Sequence, residues 1–222
     1  MKQNIVLIGS SSELSNEFSE SVYKVKNLYG ISSKKLNNEN FLDHLKVDSY
    51  TDQIEEIDNF IKKIEDPTII FFNGFLAENR NEYFPSSDEI NKTIEINYLI
   101  PLLITKKVKQ NLKIKKFIYI SSMAAIVPRN KNYIYGLAKK NLEESIKKLI
   151  DIEFLIIRYG QIDTKMSSGH KDAPFKLTKN EASKILLRKL EKKGLIYATI
   201  QLKLIGYILK IIPTKIIDFF EK

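Results

Sequence analysis

Tyr135 and Lys139 stand four residues apart in YIYGLAKK, residues 133–140, with the small residues Gly136 and Ala138 between them. On a helix that spacing places a phenol and an ammonium on one face, one above the other. A phenol titrates near pH ~10, and a nearby cation favours its anion, so the pair could serve as an acid or base closer to neutrality. The same spacing also suits an amphipathic helix with one lysine whose stem lies along apolar surface. Ser121 and Ser122 end the preceding apolar run, FIYISS. If that run is a strand and residue 133 opens a helix, the serines and Tyr135 meet at one crevice, where a serine can donate to a carbonyl oxygen and the tyrosine can deliver a proton.

The elements needed to hold these groups are legible as apolar runs without alternation: NIVLIG, NLYGIS, HLKVD, TIIFFNG, KFIYISS, EFLIIRYG and GLIYATI. Such runs read as strands buried on both faces, and helical patterns at about 13–20, 51–64, 88–111, 133–149 and 179–193 separate them. The alternation predicts an α/β fold, a Rossmann-like doubly wound parallel sheet flanked by helices in a single domain, with chemistry at the carboxyl ends of the strands. With 222 residues, 43% of them hydrophobic, the chain can bury one full core.

Several strand ends carry polar or small residues. GSSSELS, residues 9–15, follows the first run. Gly9 allows a tight turn, and the hydroxyls of Ser10, Ser11 and Ser12 with the following N–H groups could cradle a pyrophosphate; a serine-rich helix cap with no ligand would read the same way. Asp48 could accept from an adenine amino group or cap the next helix. Asn73 and Gly74 follow a fully apolar run, where backbone can approach a cofactor closely. Asn97 lies within an apolar helical pattern in EINYLIP and needs a polar partner there.

Taken in order, these features resemble the short-chain dehydrogenase/reductase family over residues 3 to about 197. The resemblance rests on the Gly-opened first turn, Asp48, NG in place of N-A-G, Asn97 followed by Pro101, Ser122 thirteen residues before Tyr135, Lys139 at Tyr plus four, and RYGQIDT. The last is similar to R-P-G-x-x-x-T, with Tyr159 replacing the proline and Gly160 and Thr164 retained. The resemblance implies a catalytic set of Asn97, Ser122, Tyr135 and Lys139. In it, Tyr135 is the acid or base, Lys139 lowers its pKa and holds the nicotinamide ribose, Ser122 polarises the substrate oxygen, and Asn97 positions a water. It also implies cofactor contacts from Gly9, Ser11, Ser12, Glu13, Leu14, Ser33, Lys34, Asp48, Asn73, Gly74, Tyr135, Lys139, Gly160, Ile162 and Thr164. Tyr133, whose plus-four residue is Leu137, takes a flanking role.

The departure is Glu13, with Ser15, where later glycines of the turn would stand. GSSSELS is similar to the glutamate form of a branch of the family that includes the reductase partner of the decaprenylphosphoryl-ribose epimerase. The second run ends in ISSKK with no carboxylate, so Ser33 and Lys34 favour NADP(H) over NAD(H). The expected activity is NAD(P)(H)-dependent carbonyl reduction or alcohol oxidation on a keto-sugar or lipid-linked sugar of cell-envelope glycan synthesis. The alternatives are reduction of another carbonyl, such as a 3-oxoacyl thioester, and a non-catalytic dinucleotide-binding scaffold.

Residues 1–200 are read as the dinucleotide-binding catalytic domain and 201–222 as an apolar, basic extension. In the extension Leu202, Ile205, Leu209 and Ile212 recur at three to four, with Lys203, Lys210, Lys215 and Lys222. A helix broken near Pro213 and lying on an anionic membrane surface fits this pattern, as does one folded on its own core or on a second subunit. Residues 166–178 fall at the family's substrate loop, with His170 an exposed loop residue. The net charge of +9 comes from scattered lysines, many beside acids as in IKKIED and LEESIKK, which read as solvated helix faces and argue against nucleic acid. Two histidines and no cysteine argue against a metal site and a disulfide framework. An N-terminal apolar run of only Ile5 to Ile8 and no ~20-residue apolar stretch suggest a cytoplasmic protein, peripheral at the inner face of the membrane if the tail binds lipid. The resemblance implies a homodimer or homotetramer built through helices 88–111 and 133–149.

Overall fold

The computed structural model describes residues 2–36, 38–77, 85–110, 113–168 and 172–212. The seven apolar runs are seven strands: β1 (Gln3–Ile8), β2 (Lys26–Ser32), β3 (Asp43–Lys46), β4 (Thr68–Phe71), β5 (Lys116–Ser122), β6 (Phe154–Tyr159) and β7 (Gly194–Tyr197). All pair in parallel, in the spatial order β3-β2-β1-β4-β5-β6-β7. The strand order reverses between β1 and β4, which opens a crevice at their carboxyl ends.

The helices are α1 (Glu13–Val22), α2 (Ile54–Lys62), α3 (Ser87–Ile94), α4 (Ile100–Val108), α5 (Tyr133–Lys148), α6 (Lys179–Lys189) and α7 (Ile200–Ile211). Because strand side chains alternate, Ile5 and Leu7 of β1 join Leu14 and Phe18 of α1 and Leu186 of α6 in one core. Val6 and Ile8 join Ile57 of α2, Ile104 of α4 and Ile146 of α5 in the other. This double burial explains why the strands read as continuous apolar runs.

Two expectations change. The single helix expected over 88–111 is α3 and α4 joined by one π-helical stretch, Glu95–Leu99. Pro101 has no N–H to give to the Asn97 carbonyl, and the Ile100 N–H reaches Glu95 O instead. The LEESIKK segment is not uniformly solvated: Glu144 and Lys147 pair at the surface at 2.7 Å, but Glu143 is buried. At the chain's end β7 stops at Tyr197, because Thr199 caps α7 by accepting from Leu202 N at 3.3 Å. Leu202 enters the core, and an added Cβ at Gly160 would meet its Cδ2 at 3.1 Å. Lys215, Lys222, the proposed break at Pro213 and His170 lie outside the described residues.

Candidate active site

Tyr135, Lys139 and Ser122 converge where α5 starts beside the end of β5. Asn132 precedes the helix, and Gly136 lets its first turn press against the segment after β5. A Cβ on Gly136 would lie 2.7 Å from Ala124 O and 3.0 Å from Pro128 Cα, both backbone atoms that cannot swing aside. Gly136→Val is therefore expected to lower Tm by about 3–10 °C, from overpacking of roughly 1–3 kcal/mol. It should also lower turnover, because relief of the clash displaces Tyr135 from Ser122; thermal unfolding and steady-state rates check the two effects.

The Ser122 hydroxyl accepts from Ala124 N at 3.1 Å, and it pulls the Tyr135 phenol downward in its titration. Lys139 Nζ lies 5.9 Å from the Tyr135 ring centroid and donates to Ile120 O at 3.1 Å and Asn73 O at 3.4 Å. Burial pushes the Tyr135 phenol up to about 12, against the pull of Ser122. Burial, and not the ammonium of Lys139, therefore sets the direction of the phenol's shift. The same desolvation brings the Lys139 ammonium down to about 8, opposed by the negative charge of Glu143.

Asn97 is fully buried on the π-helical stretch. Its Nδ2 donates to Phe75 O at 2.6 Å and Thr93 O at 2.9 Å, and its Oδ1 accepts from Phe75 N at 3.4 Å. It therefore ties the segment after β4 to the helix, and one Oδ1 lone pair is left. Beside Tyr135 opens a shallow cleft, lined among others by Tyr133, Asn130, Asn132, Thr93 and Leu76.

The first turn places Gly9 at φ +78°, where its missing Cβ would meet Asn73 N at 3.0 Å. Ser12 caps α1 by accepting from Ser15 N at 3.2 Å. The N–H groups of Glu13 and Leu14, in the first turn of α1, have no intrahelical acceptor. Glu13 does not leave an uncompensated charge in the turn. Its Oε1 accepts from Lys165 N and its Oε2 from Lys179 Nζ, both at 2.8 Å, and its pKa is lowered chiefly by Lys179. Ser32 is buried and bonded to His44 Nε2 at 2.9 Å, whereas Ser33 and Lys34 are exposed at the end of β2. Asp48 is exposed and paired with Lys46 at 2.8 Å.

Four buried polar atoms at the carboxyl ends of the strands and the start of α5 have no partner among the described residues: Ser10 Oγ, Asn73 Oδ1, Asn132 Oδ1 and Gln161 Nε2. Each such atom costs roughly 1–3 kcal/mol unless something fills its bond. A long polar ligand lying along the strand ends would do so, and with the open helix N-terminus the residues present fit a dinucleotide. Gly160 and Ile162 follow β6 beside Gln161, Ile162 bridges to Leu177, and the Thr164 N–H donates to Ser167 Oγ at 3.2 Å. Gly74 faces Met166, whose Cε would lie 3.1 Å from an added Cβ. Among the described residues no group of three His, Asp or Glu side chains is placed to hold a metal ion.

Ser10, one of the hydroxyls offered as a phosphate cradle, is completely buried. Sequence reasoning missed two participants: Tyr50 reaches Ile31 O at 3.4 Å from beneath the turn, and Glu143 pairs with Arg158 behind Lys139. Only Glu143, at Lys139 plus four, carried a usable signal.

No family model matches the sequence. In structure the chain is similar to a short-chain dehydrogenase of Burkholderia cenocepacia in complex with NADP, at 18% identity and TM-score 0.78, covering 95% of this chain and 94% of that one. It is also similar to the 3-oxoacyl-[acyl-carrier protein] reductase of Brucella melitensis in complex with NAD, at 12% identity and TM-score 0.74, covering 92% and 98%. A third is the Thermoplasma acidophilum aldohexose dehydrogenase, at 14% identity and TM-score 0.69, covering 88% and 92%. The fold is that of the short-chain dehydrogenases/reductases, the family the sequence resembles.

Proposed function

We propose that the chain is an NAD(P)(H)-dependent oxidoreductase that interconverts a carbonyl and an alcohol. The observation that carries this reading is the convergence of Ser122, Tyr135 and Lys139 beside the open cleft, at the end of the sheet where buried polar atoms await a ligand. The nicotinamide, when bound, supplies or accepts the hydride. Ser122 donates to the substrate oxygen, and Tyr135, protonated at neutral pH, delivers its proton to that oxygen in reduction. Lys139 supplies positive charge below the phenol and holds the ribose. Asn97 keeps the segment after β4 in place and orients a water with its remaining Oδ1 lone pair.

Ser33 and Lys34 support NADP(H) as the favoured coenzyme, since both stand exposed where a 2′-phosphate would lie. The amide and phenol groups of Asn130, Asn132 and Tyr133 support a hydroxylated substrate, a keto-sugar or lipid-linked sugar, over an acyl thioester. Leu99 and Leu103, both over a third exposed, support pairing of subunits through α3–α4 and α5 as a homodimer or homotetramer. On α7 the outward residues Ile200, Leu204, Tyr207, Ile208 and Ile211, with Lys203 and Lys210 beside Tyr207, support contact with an anionic membrane surface. That face is the basis for reading the protein as peripheral at a membrane.

The test is a titration with NADPH and NADH followed by nicotinamide fluorescence. NADPH is expected to bind about tenfold or more tightly than NADH, and Lys34→Asp to reverse the preference by a similar factor. Absence of saturable binding by either coenzyme, in protein shown to be folded, would leave the fold as a scaffold.

A further inference from the structure

A buried charge network lies behind Lys139. Glu143 is 1% exposed and Arg158 6% exposed. Arg158 Nε donates to Glu143 Oε1 at 2.9 Å, Nη2 donates to Oε2, and Nη1 donates to the Tyr197 hydroxyl at 3.1 Å. Ser121 Oγ also donates to Glu143 Oε1, at 2.6 Å. The strands bring these groups into one row, because Ser121 pairs with Arg158 and Arg158 with Tyr197 in the parallel register. Glu143 descends onto the row from α5, one helical turn beyond Lys139.

A buried ion pair is weak grounds for a stability role, since apolar residues of similar volume often serve as well. Its place beside Lys139 is the informative feature. Lys139 is 4% exposed, and its two hydrogen-bond acceptors are neutral carbonyls, of Asn73 after β4 and Ile120 on β5. The groups around it are Tyr135 and Glu143 from α5, Asn73, and Ser121 and Ser122 from β5, with Arg158 of β6 behind Glu143. Glu143 is the anion that the electrostatics assign to it among the described residues. Arg158 engages both carboxylate oxygens directly, while Lys139, four residues before Glu143 on α5, feels the same anion at longer range.

We propose that Glu143 and Arg158 are positioning residues that set the charge of Lys139, the carboxylate holding the ammonium protonated and the guanidinium limiting how strongly it does so. The inference rests on the oxidoreductase reading, because there Lys139 must be charged to hold the ribose. It concerns residues outside the catalytic set and gives their charges opposite effects on one titration.

The experiment is NADPH affinity from pH 6.5 to 10 for the parent, Glu143→Gln, Ser121→Ala and Arg158→Lys, with Lys139→Met as the reference lacking the titrating group. Affinity in the parent is expected to fall with a midpoint near pH ~8, and Glu143→Gln to move that midpoint down by about one unit or more. Ser121→Ala, which removes a hydrogen bond and no charge, should lower thermal stability and leave the midpoint in place. Arg158→Lys loosens the fork on Glu143 with both charges kept and should move the midpoint upward; it also serves if Glu143→Gln does not fold. An unchanged midpoint in the folded variants would make the network a structural bracket only and overturn the proposal. If the parent binds neither coenzyme, the oxidoreductase reading fails, and the proposal is decided by unfolding measured against pH without coenzyme. A lysine titrating lower in the folded than in the unfolded chain makes stability rise with pH between the two values. Glu143→Gln should start that rise at lower pH and Lys139→Met should lack it; an onset unmoved by Glu143→Gln overturns the proposal.

Discussion

Tyr135→Phe is expected to reduce turnover by about 10³-fold or more while NADPH affinity stays within about twofold of the parent. The hydroxyl is the proton donor that the geometry offers to a carbonyl in the cleft, with Ser122 beside it at the end of β5. The ring stays in place when only the oxygen is removed, so packing and coenzyme contacts survive. Tyr133→Phe should cost less than about threefold, because the neighbouring phenol has no lysine four residues on and is 40% exposed at the cleft. Equal losses from the two variants would remove Tyr135 from its assigned role. The protonation state gives a second handle. With the phenol held up to about 12, it is an acid ready for reduction throughout the neutral range. Oxidation of an alcohol needs the phenolate, so its rate should climb with pH until Lys139 begins to lose its proton near 8.

Much of this arrangement was readable from one-dimensional patterns, and the reasons are specific. Strands such as NIVLIG declare themselves because both faces are buried, so every position from Ile5 to Ile8 is apolar. Tyr135 and Lys139 declare themselves because helical spacing converts four residues of sequence into one shared face. Ser122 follows because the strand before a returning helix must end at the same crevice. The misread features depend on three-dimensional partners. Glu143 sits in LEESIKK, where charge alternation suggests water, and only the approach of Arg158 from β6 makes its burial tolerable. Glu13 stood out only as a departure from the glycines of the turn, since nothing local revealed that Lys179, 166 residues away, neutralises it. The π-helical stretch at Asn97 follows from Pro101, but choosing a wider turn over a break required knowing that Asn97 would fasten Phe75. The burial of Tyr135 was hidden for a related reason: spacing announces the ammonium, whereas desolvation of the phenol belongs to the assembled fold.

Lys139→Met separates what the lysine does for function from what it does for stability, and the two effects have opposite signs. Without the ammonium, NADPH binding and proton delivery both lose their cation, so kcat/KM is expected to fall about 10³-fold, on the order of 4 kcal/mol. Stability should move the other way at neutral pH. Desolvation takes the lysine from 10.5 down to about 8, a difference of 2.5, so its charged form is disfavoured in the folded protein by about 3 kcal/mol. Methionine removes that cost and forfeits two long bonds to the carbonyls of Asn73 and Ile120, each worth about 1 kcal/mol. The remainder, about 1 kcal/mol, corresponds to a Tm higher by roughly 2–4 °C for a chain of this size. The sign fixes the pH window. Below about 8 the lysine is charged in both folded and unfolded chains and the full cost is present. As pH rises from there toward 10.5 the folded protein releases the proton first, the cost fades, and the advantage of methionine should shrink with it. Thermal melts of the two proteins at pH 7 and pH 10 measure this directly. A gain that persists undiminished at pH 10 would mean that packing alone stabilises the variant, and that Lys139 carries no desolvated charge in the folded protein.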